Sequence, residues 1–253
     1  MSKRTILITG ASGKFGKMML EHFLSSGDTV IATSRSDSSL DEMNCVYERF
    51  GDRFIGIRCD LMQETSASEL VTELEMRAVF PDSLVNNARN LEFLRMDRDG
   101  TVSRVNFANE LLLDVIAPYE LTMTLVKWPA TKLKRVVNIG SQYGSVAANR
   151  TLYTEPLTQS PLHYSVAKAA LAHLTKELAV RLAPNGVQVN CIAFGGVEGR
   201  VDEDFKRRYA QLCPQGRMLT DFEVAGPVDM LLSDHFSGMT GHVLAVDGGW
   251  TAW

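Results

Sequence analysis

The chain is 253 residues long, with 26 Lys and Arg against 30 Asp and Glu, a formal charge of −4, and 45% hydrophobic residues. That balance excludes a disordered, collagen-like or fibrous chain, and the mild acidity argues against general nucleic-acid binding, which neutralises many phosphates with Lys and Arg. No apolar run approaches the ~20 residues that span a bilayer, and only five residues separate Arg4 from Gly10, too few for the apolar core of a signal peptide.

The first apolar run, Thr5–Ile8, is short and β-branched and ends in a Gly-rich stretch, Thr9–Gly16. Met18, Met19, Leu20, Phe23 and Leu24 then recur at helical spacing until Gly27, and a second strand follows at Thr29–Thr33. Strand, glycine turn, helix and strand make one βαβ unit. The alternation continues with a strand at Phe54–Arg58, a helix at Ser66–Val79 and a strand at Ser83–Asn86. A long helical stretch runs from about Val105 to Val126, with an interruption near Pro118. Arg135–Ile139 reads as a strand, and Leu162–Leu182 as a helix ended by Pro184-Asn185-Gly186. A strand at Val187–Ala193, a helix at Phe222–Ser233 and a last strand at His242–Val246 complete the pattern.

Seven strands with helices between most of them predict an α/β fold: a doubly wound, Rossmann-like, parallel seven-stranded sheet with helices on both faces. No repeat or linker interrupts it, so one domain over 1–253 is the economical expectation. Two stretches break the rhythm: a long loop at 142–161 and a charge-rich excursion at 194–221. Both leave strand ends on the side where such sheets bind ligands, so either can wall a substrate pocket.

The turn Thr9-Gly10-Ala11-Ser12-Gly13-Lys14-Phe15-Gly16 is the first chemical signal. Glycines at 10, 13 and 16 remove the Cβ atoms that would block a pyrophosphate, and the following helix offers free N–H groups and a partial positive charge. At the first βα turn of an alternating chain this reads as a dinucleotide site. The second strand runs into Ser34 and Arg35 with no acid to accept bonds from the ribose hydroxyls of NAD. Ser34 can bond a 2′-phosphate and Arg35 can pair with it, with Lys14 assisting from the turn, so NADP(H) is favoured over NAD(H). Arg35 as a solvated arginine, and Lys14 pointing to water, are the plain alternatives.

Four further motifs follow in order: Asn86-Asn87-Ala88, Ser141, Tyr164-Ser165-Val166-Ala167-Lys168, and Val246-Asp247-Gly248-Gly249. With the glycine turn they resemble the short-chain dehydrogenase/reductase family across nearly the whole chain. Part of the chemistry is readable without the resemblance. Tyr164 and Lys168 stand four apart on a predicted helix and share a face. A lysine ammonium near a phenol favours the phenolate, and lowering its pKa by about three units corresponds to roughly 4 kcal/mol. Such a tyrosine exchanges a proton with a carbonyl or alcohol oxygen, and Ser141, after the fifth strand, is placed to hold that oxygen.

The resemblance implies more. Lys168 would also bind the nicotinamide ribose, Asp60 would face the adenine with Leu61 beside it, Asn87 and Ala88 would floor the dinucleotide, and Gly195 and Val197 would meet the nicotinamide amide. A helix cap for Asp60 and plain turn residues for the glycines are the alternatives. It also implies a homo-tetramer or homo-dimer. Trp250 and Trp253 would pack either across a subunit interface or within one subunit. Cys45, Cys59, Cys191 and Cys213 show no Cys-x-x-Cys or His clustering, so no metal site is expected, and buried free thiols suit a reduced cytoplasmic compartment.

Departures from the family pattern are specific. Lys14 replaces a glycine, Arg89 follows Asn-Asn-Ala where glycine is usual, Phe194 replaces a proline and Gly199 a threonine. Asp114 aligns with the fourth catalytic position, normally an asparagine whose backbone carbonyl anchors a water linked to the lysine. A carboxylate there could alter the pairing of Lys168 and weaken its pull on Tyr164. Arg89 would bind an anionic substrate group or the cofactor pyrophosphate, or form a structural salt bridge. The Asn-Asn-Ala-Arg variant and the long loop before Tyr164 resemble the branch associated with flagellin modification and nonulosonic-type sugars. In 198–220, Arg200, Lys206, Arg207, Arg208 and Arg217 nearly cancel Glu198, Asp202, Glu203 and Asp204, as in a solvated lid helix. His163 reads as a satisfied surface histidine. The expected function is an NADP(H)-dependent oxidoreductase interconverting a secondary alcohol and a ketone on a small polar, sugar-derived substrate. A non-catalytic dinucleotide-binding regulator, or an epimerase or dehydratase using the cofactor transiently, are the alternatives.

Overall fold

The computed structural model describes residues 3–199 and 201–253; Met1, Ser2 and Arg200, one cation of the charge-rich excursion, lie outside the described residues. Seven strands form one sheet: β1 (Thr5–Ile8), β2 (Thr29–Ser34), β3 (Phe54–Arg58), β4 (Ser83–Asn86), β5 (Arg135–Ser141), β6 (Gln188–Phe194) and β7 (Val243–Val246). Their order is β3-β2-β1-β4-β5-β6-β7 and every pairing is parallel. The helices are α1 (Lys14–Ser25), α2 (Asp37–Tyr47), α3 (Ser66–Met76), α4 (Arg104–Leu111), α5 (Ala117–Lys127), α6 (Pro156–Gln159), α7 (Leu162–Leu182), α8 (Glu203–Leu212) and α9 (Phe222–Leu231).

Strand alternation sorts the core into two layers. Ile6, Ile8, Val30, Ala32, Val85 and Val137 face α1, α2 and α9. Leu7, Ile31, Leu84, Val136 and Val189 face α3, α5 and α7. Both faces of the central strands are covered, which is why they read as short apolar runs without alternation. A large side chain so buried contributes roughly 1.5–3 kcal/mol.

The expected helix at 105–126 is interrupted one step earlier than Pro118 suggested. Residues Leu112–Ile116 form a π turn between α4 and α5. Pro118 has no N–H to donate to the Asp114 carbonyl four residues back, so the ladder cannot continue unbroken. The sequence carries no periodic trace of helix α2, because only Met43 and Tyr47 of it are buried. Its start is set by Ser36, whose Oγ accepts the Ser39 N–H at 3.4 Å.

The chain steps outward from β1 to β3 and returns to β4 on the other edge of β1. The loops leaving β1 and β4 therefore part, and a crevice opens at their carboxyl ends. Over it lies a third apolar cluster built from both rhythm-breaking stretches and the C-terminus: Leu152, Tyr209, Cys213, Met218 and Trp250. Trp250 stacks on Tyr209 with ring centroids 4.5 Å apart, so it packs within the chain, whereas Trp253 is 79% exposed. Among the described residues no helix is long and apolar enough to cross a membrane.

Candidate active site

The crevice is a cleft of about 790 Å³. Its floor at one end is the glycine turn. Gly10 has φ +62°, and a Cβ there would lie 2.6 Å from the Ala88 Cα, so both conformation and space require glycine. A Cβ on Gly16 would run into the Ala11 backbone. Gly13 caps α1 with no side chain, leaving the first N–H groups of the helix without a side-chain acceptor. Asn87 holds the turn in place: its Nδ2 donates to the Thr9 and Gly10 carbonyls at 2.9 and 3.1 Å. The Asn87 and Ala88 N–H groups both donate to Thr9 Oγ1, at 2.9 and 3.1 Å. A narrow, donor-lined cradle of this kind fits a dinucleotide pyrophosphate.

Ser12, Ser34, Arg35, Asp60 and Leu61 line the same cleft. Ser34 Oγ lies 3.3 Å from Ser12 Oγ and accepts the Ser36 N–H at 3.3 Å. Arg35 makes no ion pair among the described residues. Asp60 Oδ1 accepts the Met62 N–H at 3.2 Å, so one of its oxygens braces the turn after β3. Lys14 corrects the expectation of help toward a 2′-phosphate. Its ammonium pairs with Asp221 at 2.8 Å and donates to the Glu198 carbonyl, tying the start of α1 to the excursion. The pairing wins because two acceptors lie within its reach at the cleft mouth. Phe15 packs edge-on against Phe194, centroids 5.3 Å apart, which accounts for the replaced proline.

At the other end, α7 carries Tyr164 and Lys168. Lys168 is buried; its Nζ donates to the Ile139 carbonyl at 3.0 Å and pairs with Asp114 at 3.0 Å. Burial pulls this ammonium down, but the Asp114 and Tyr164 charges and the Asp114 bond outweigh it, and the net direction is up. Lys168 Nζ lies 5.7 Å from the Tyr164 ring centroid, and the Arg89 guanidinium lies 4.8 Å from the same centroid. Ser141 ends β5, with its Oγ accepting the Tyr143 N–H at 3.2 Å. Helix α7 is locked to the sheet by a buried chain: Asn86 Nδ2 donates to Asn138 Oδ1 at 2.8 Å, and Asn138 Nδ2 to Thr175 Oγ1 at 2.9 Å.

The Asp114 carboxylate reaches Lys168 directly, the altered pairing weighed from the sequence. One expectation changes here. His163 is not at the surface: it is fully buried, with Nε2 2.7 Å from the Phe93 carbonyl. Sequence reasoning also missed Glu110. It is 1% exposed, and burial, then repulsion from Asp114, push its carboxyl up to about 7 against the pull of Lys168 and Arg89. Its place four residues before Asp114 on one helix was the available signal.

Gly195 donates its N–H to Val246, and a Cβ on it would lie 2.7 Å from the Asp247 Cα. Val197 bridges to Leu219. Gly196 donates to the Tyr209 hydroxyl at 2.9 Å, and that hydroxyl donates to Gln142 Oε1 at 3.1 Å. Tyr143 and Tyr153 meet hydroxyl to hydroxyl at 2.9 Å. Burial pushes all three phenols up, so they stay neutral and wall this end with aromatic surface.

The family model described as enoyl-(acyl carrier protein) reductase matches residues 10–251. A 3-oxoacyl-(acyl-carrier-protein) reductase, FabG, from Aquifex aeolicus is 31% identical over 96% of this chain and 95% of its own. A short-chain type dehydrogenase/reductase, y4vI, from Sinorhizobium fredii is 29% identical over 98% of this chain, which spans 43% of that longer protein. The post-translational flagellin modification protein A of Campylobacter coli is 24% identical across 99% of both. Among solved structures, a short chain dehydrogenase from Leptospira borgpetersenii with bound NAD+ has a TM-score of 0.86 and 30% identity, covering 99% of this chain and 94% of that one.

Proposed function

The chain belongs to the short-chain dehydrogenase/reductase family and is an NAD(P)-dependent oxidoreductase of CH–OH groups; from that premise we propose that it interconverts a ketone and a secondary alcohol with NADP(H), on a small polar substrate that carries an anionic group. The carrying observation is Lys168, buried and held between the Ile139 carbonyl and Asp114 below the Tyr164 ring. The nicotinamide, when bound, supplies or accepts the hydride. Tyr164 gives its hydroxyl proton to the carbonyl oxygen, or takes one from the alcohol. Ser141 orients that oxygen with a hydrogen bond, and the charged Lys168 stabilises the phenolate left behind.

The remaining roles follow from position. Gly10, Ser12, Gly13, Phe15 and Gly16 form the phosphate cradle, with Asn87 and Ala88 beneath it. Ser34 and Arg35 take the 2′-phosphate. Asp60 and Leu61 border the adenine, and Gly195 and Val197 the nicotinamide amide. The bound NAD+ of the Leptospira relative weighs the other way, and the absence of an acid at the end of β2 supports NADP(H) here. Arg89 makes no ion pair among the described residues and sits over Tyr164, which supports an anionic group next to the reacting carbon. An acidic keto-sugar unites the polar and anionic requirements.

The test follows NADPH absorbance against paired ketones that differ in one carboxylate or phosphate. Anionic members are expected to turn over faster than their neutral isosteres. Tyr164→Phe is expected to lower turnover by about 100-fold or more with cofactor affinity nearly unchanged. Full activity in Tyr164→Phe would remove Tyr164 from the chemistry.

A further inference from the structure

We propose that Tyr143 and Tyr153 select the substrate by holding one of its hydroxyl groups, which makes that substrate a hydroxylated keto acid. The inference rests on the oxidoreductase reading above and gives the same site two specificity-determining residues.

Both phenols belong to the 142–161 stretch and line the cleft. Each is anchored by a different part of the chain. Tyr143 rides on the turn after β5, where its backbone N–H donates to Ser141 Oγ at 3.2 Å. The next residue, Gly144, lets that turn press onto α7, since a Cβ there would lie 2.9 Å from the Lys168 carbonyl oxygen. Tyr153 is fixed from the excursion. The Arg208 Nε–H of α8 donates to the carbonyl of its neighbour Leu152 at 2.7 Å, and the Phe205 ring meets the Tyr153 ring edge-on, centroids 5.8 Å apart. From these two anchors the phenol oxygens meet at 2.9 Å.

Two phenols carry two O–H donors, and their mutual bond uses one. The other has no acceptor among the described residues. The adjacent Gln142 Oε1 already takes the Tyr209 O–H at 3.1 Å, a direction set by the Gly196 N–H donating to the Tyr209 oxygen at 2.9 Å. Burial pushes both phenols of the pair up, so neither ionises near neutrality. Their mutual bond pulls Tyr143 back and lifts Tyr153 further, as it does when Tyr153 is the donor. The Tyr143 O–H is then the free one.

Val201, Phe205 and Met218 pack with Tyr153 and line the same cleft with apolar surface. A substrate that closes this end against water must supply the missing acceptor or leave a donor unpaired, which is costly. A hydroxyl group meets the need: its oxygen accepts from Tyr143, and its hydrogen faces the phenol oxygens. A methylene does not. The pair is neutral, so it suits a neutral oxygen, and the anionic group of the substrate is matched by Arg89 instead. Tyr143 shares its turn with Ser141, which orients the reacting oxygen. The hydroxyl that Tyr143 holds therefore sits at one set position along the substrate chain.

The test compares 2-oxopentanoate with its 3-hydroxy, 4-hydroxy and 5-hydroxy forms in the wild type, Tyr143→Phe and Tyr153→Phe. It reads kcat/KM for reduction with NADPH, and affinity by calorimetric titration of the protein saturated with NADP+, where no hydride can pass. In the wild type one hydroxy form is expected to exceed the parent keto acid by about tenfold or more in both measurements. Tyr143→Phe is expected to bring that ratio close to one, and Tyr153→Phe to lower it by a few fold. A phenol that only braces the loop would, on removal, weaken parent and hydroxy forms alike and leave the ratio as it was. An unchanged ratio in Tyr143→Phe therefore overturns the proposal, as does a wild type that treats all these keto acids alike. Absence of turnover in every protein overturns the oxidoreductase reading instead, and the titration ratio still decides on the phenols; absence of binding as well overturns both. Should Tyr143→Phe not fold, Tyr153→Phe carries the comparison, and an unchanged ratio there overturns the proposal.

Discussion

On the proposed reading, two side chains at the end of β2 select the dinucleotide. Ser34 is buried with its hydroxyl toward Ser12, and Arg35 is exposed and unpaired among the described residues. A 2′-phosphate would gain charge-assisted bonds from Arg35 that a bare ribose hydroxyl cannot use. Arg35→Ala is therefore expected to weaken NADPH binding about tenfold or more, equivalent to about 1.4 kcal/mol, and to leave NADH binding unchanged. Titration of both cofactors checks this; equal losses would place Arg35 outside the 2′-phosphate pocket. The same scale separates Lys14 from Arg35. Both were legible as cations near the glycine turn. Only the folded chain brings Asp221 and Glu198 to Lys14, because those residues come from the far end of the sequence.

The excursion after β6 is an element in its own right. Helix α8 starts at Asp202, whose Oδ1 accepts the Phe205 N–H at 2.7 Å. It is held from the inside by the Tyr209–Trp250 stack, while Lys14–Asp221 ties the start of α9 to the glycine turn. Arg217 and the Thr220 N–H hold the Glu223 carboxyl down to about 2, fixing the entry to α9. Of these ties, Lys14–Asp221 is the one that bridges the glycine turn and the excursion. Asp221→Asn removes its charge while keeping its size. The expected result is faster cofactor release by a few fold and faster amide exchange over 198–220, at little cost in global stability, since exposed pairs contribute about 0–1 kcal/mol. Unchanged release and exchange would show that the tie does not govern the lid. Sequence composition revealed a charge-balanced excursion, but not which of its charges reach across the cleft.

Across the whole molecule, the doubly wound order collects the loops after β1, β2, β4, β5 and β6 at one edge of the sheet. Away from that edge, the outer surface of the α4–α5 region and of α7 leaves Val105, Ile116, Tyr119 and Val166 exposed. These helical segments pack side by side, so the exposed apolar residues lie on neighbouring elements. We propose that a second copy of the chain covers this face, in keeping with a homo-dimer or homo-tetramer. Light scattering of the purified protein is expected to report an assembly, and Tyr119→Glu with Val166→Glu is expected to reduce it to single chains. A wild-type mass of one chain would remove the proposal.

The seven strands and the long helices were readable because central parallel strands are apolar runs and because a helix against a sheet repeats its buried positions. The glycine turn and the Tyr164–Lys168 pair were readable for a similar reason: their geometry depends on spacing within one element. Helix α2, with two buried residues, left no such trace. What the tertiary structure alone decided are the meetings between distant elements: Asp114 against Lys168, Arg89 over Tyr164, Lys14 with Asp221, and the aromatic wall of Tyr143, Tyr153 and Tyr209. Local spacing sets which face a residue shares with its near neighbours, whereas the dielectric and the charges around it are set by whatever the rest of the chain packs there. The upward push on the Glu110 carboxyl is a property of that second kind, since burial and the nearby Asp114 charge cause it.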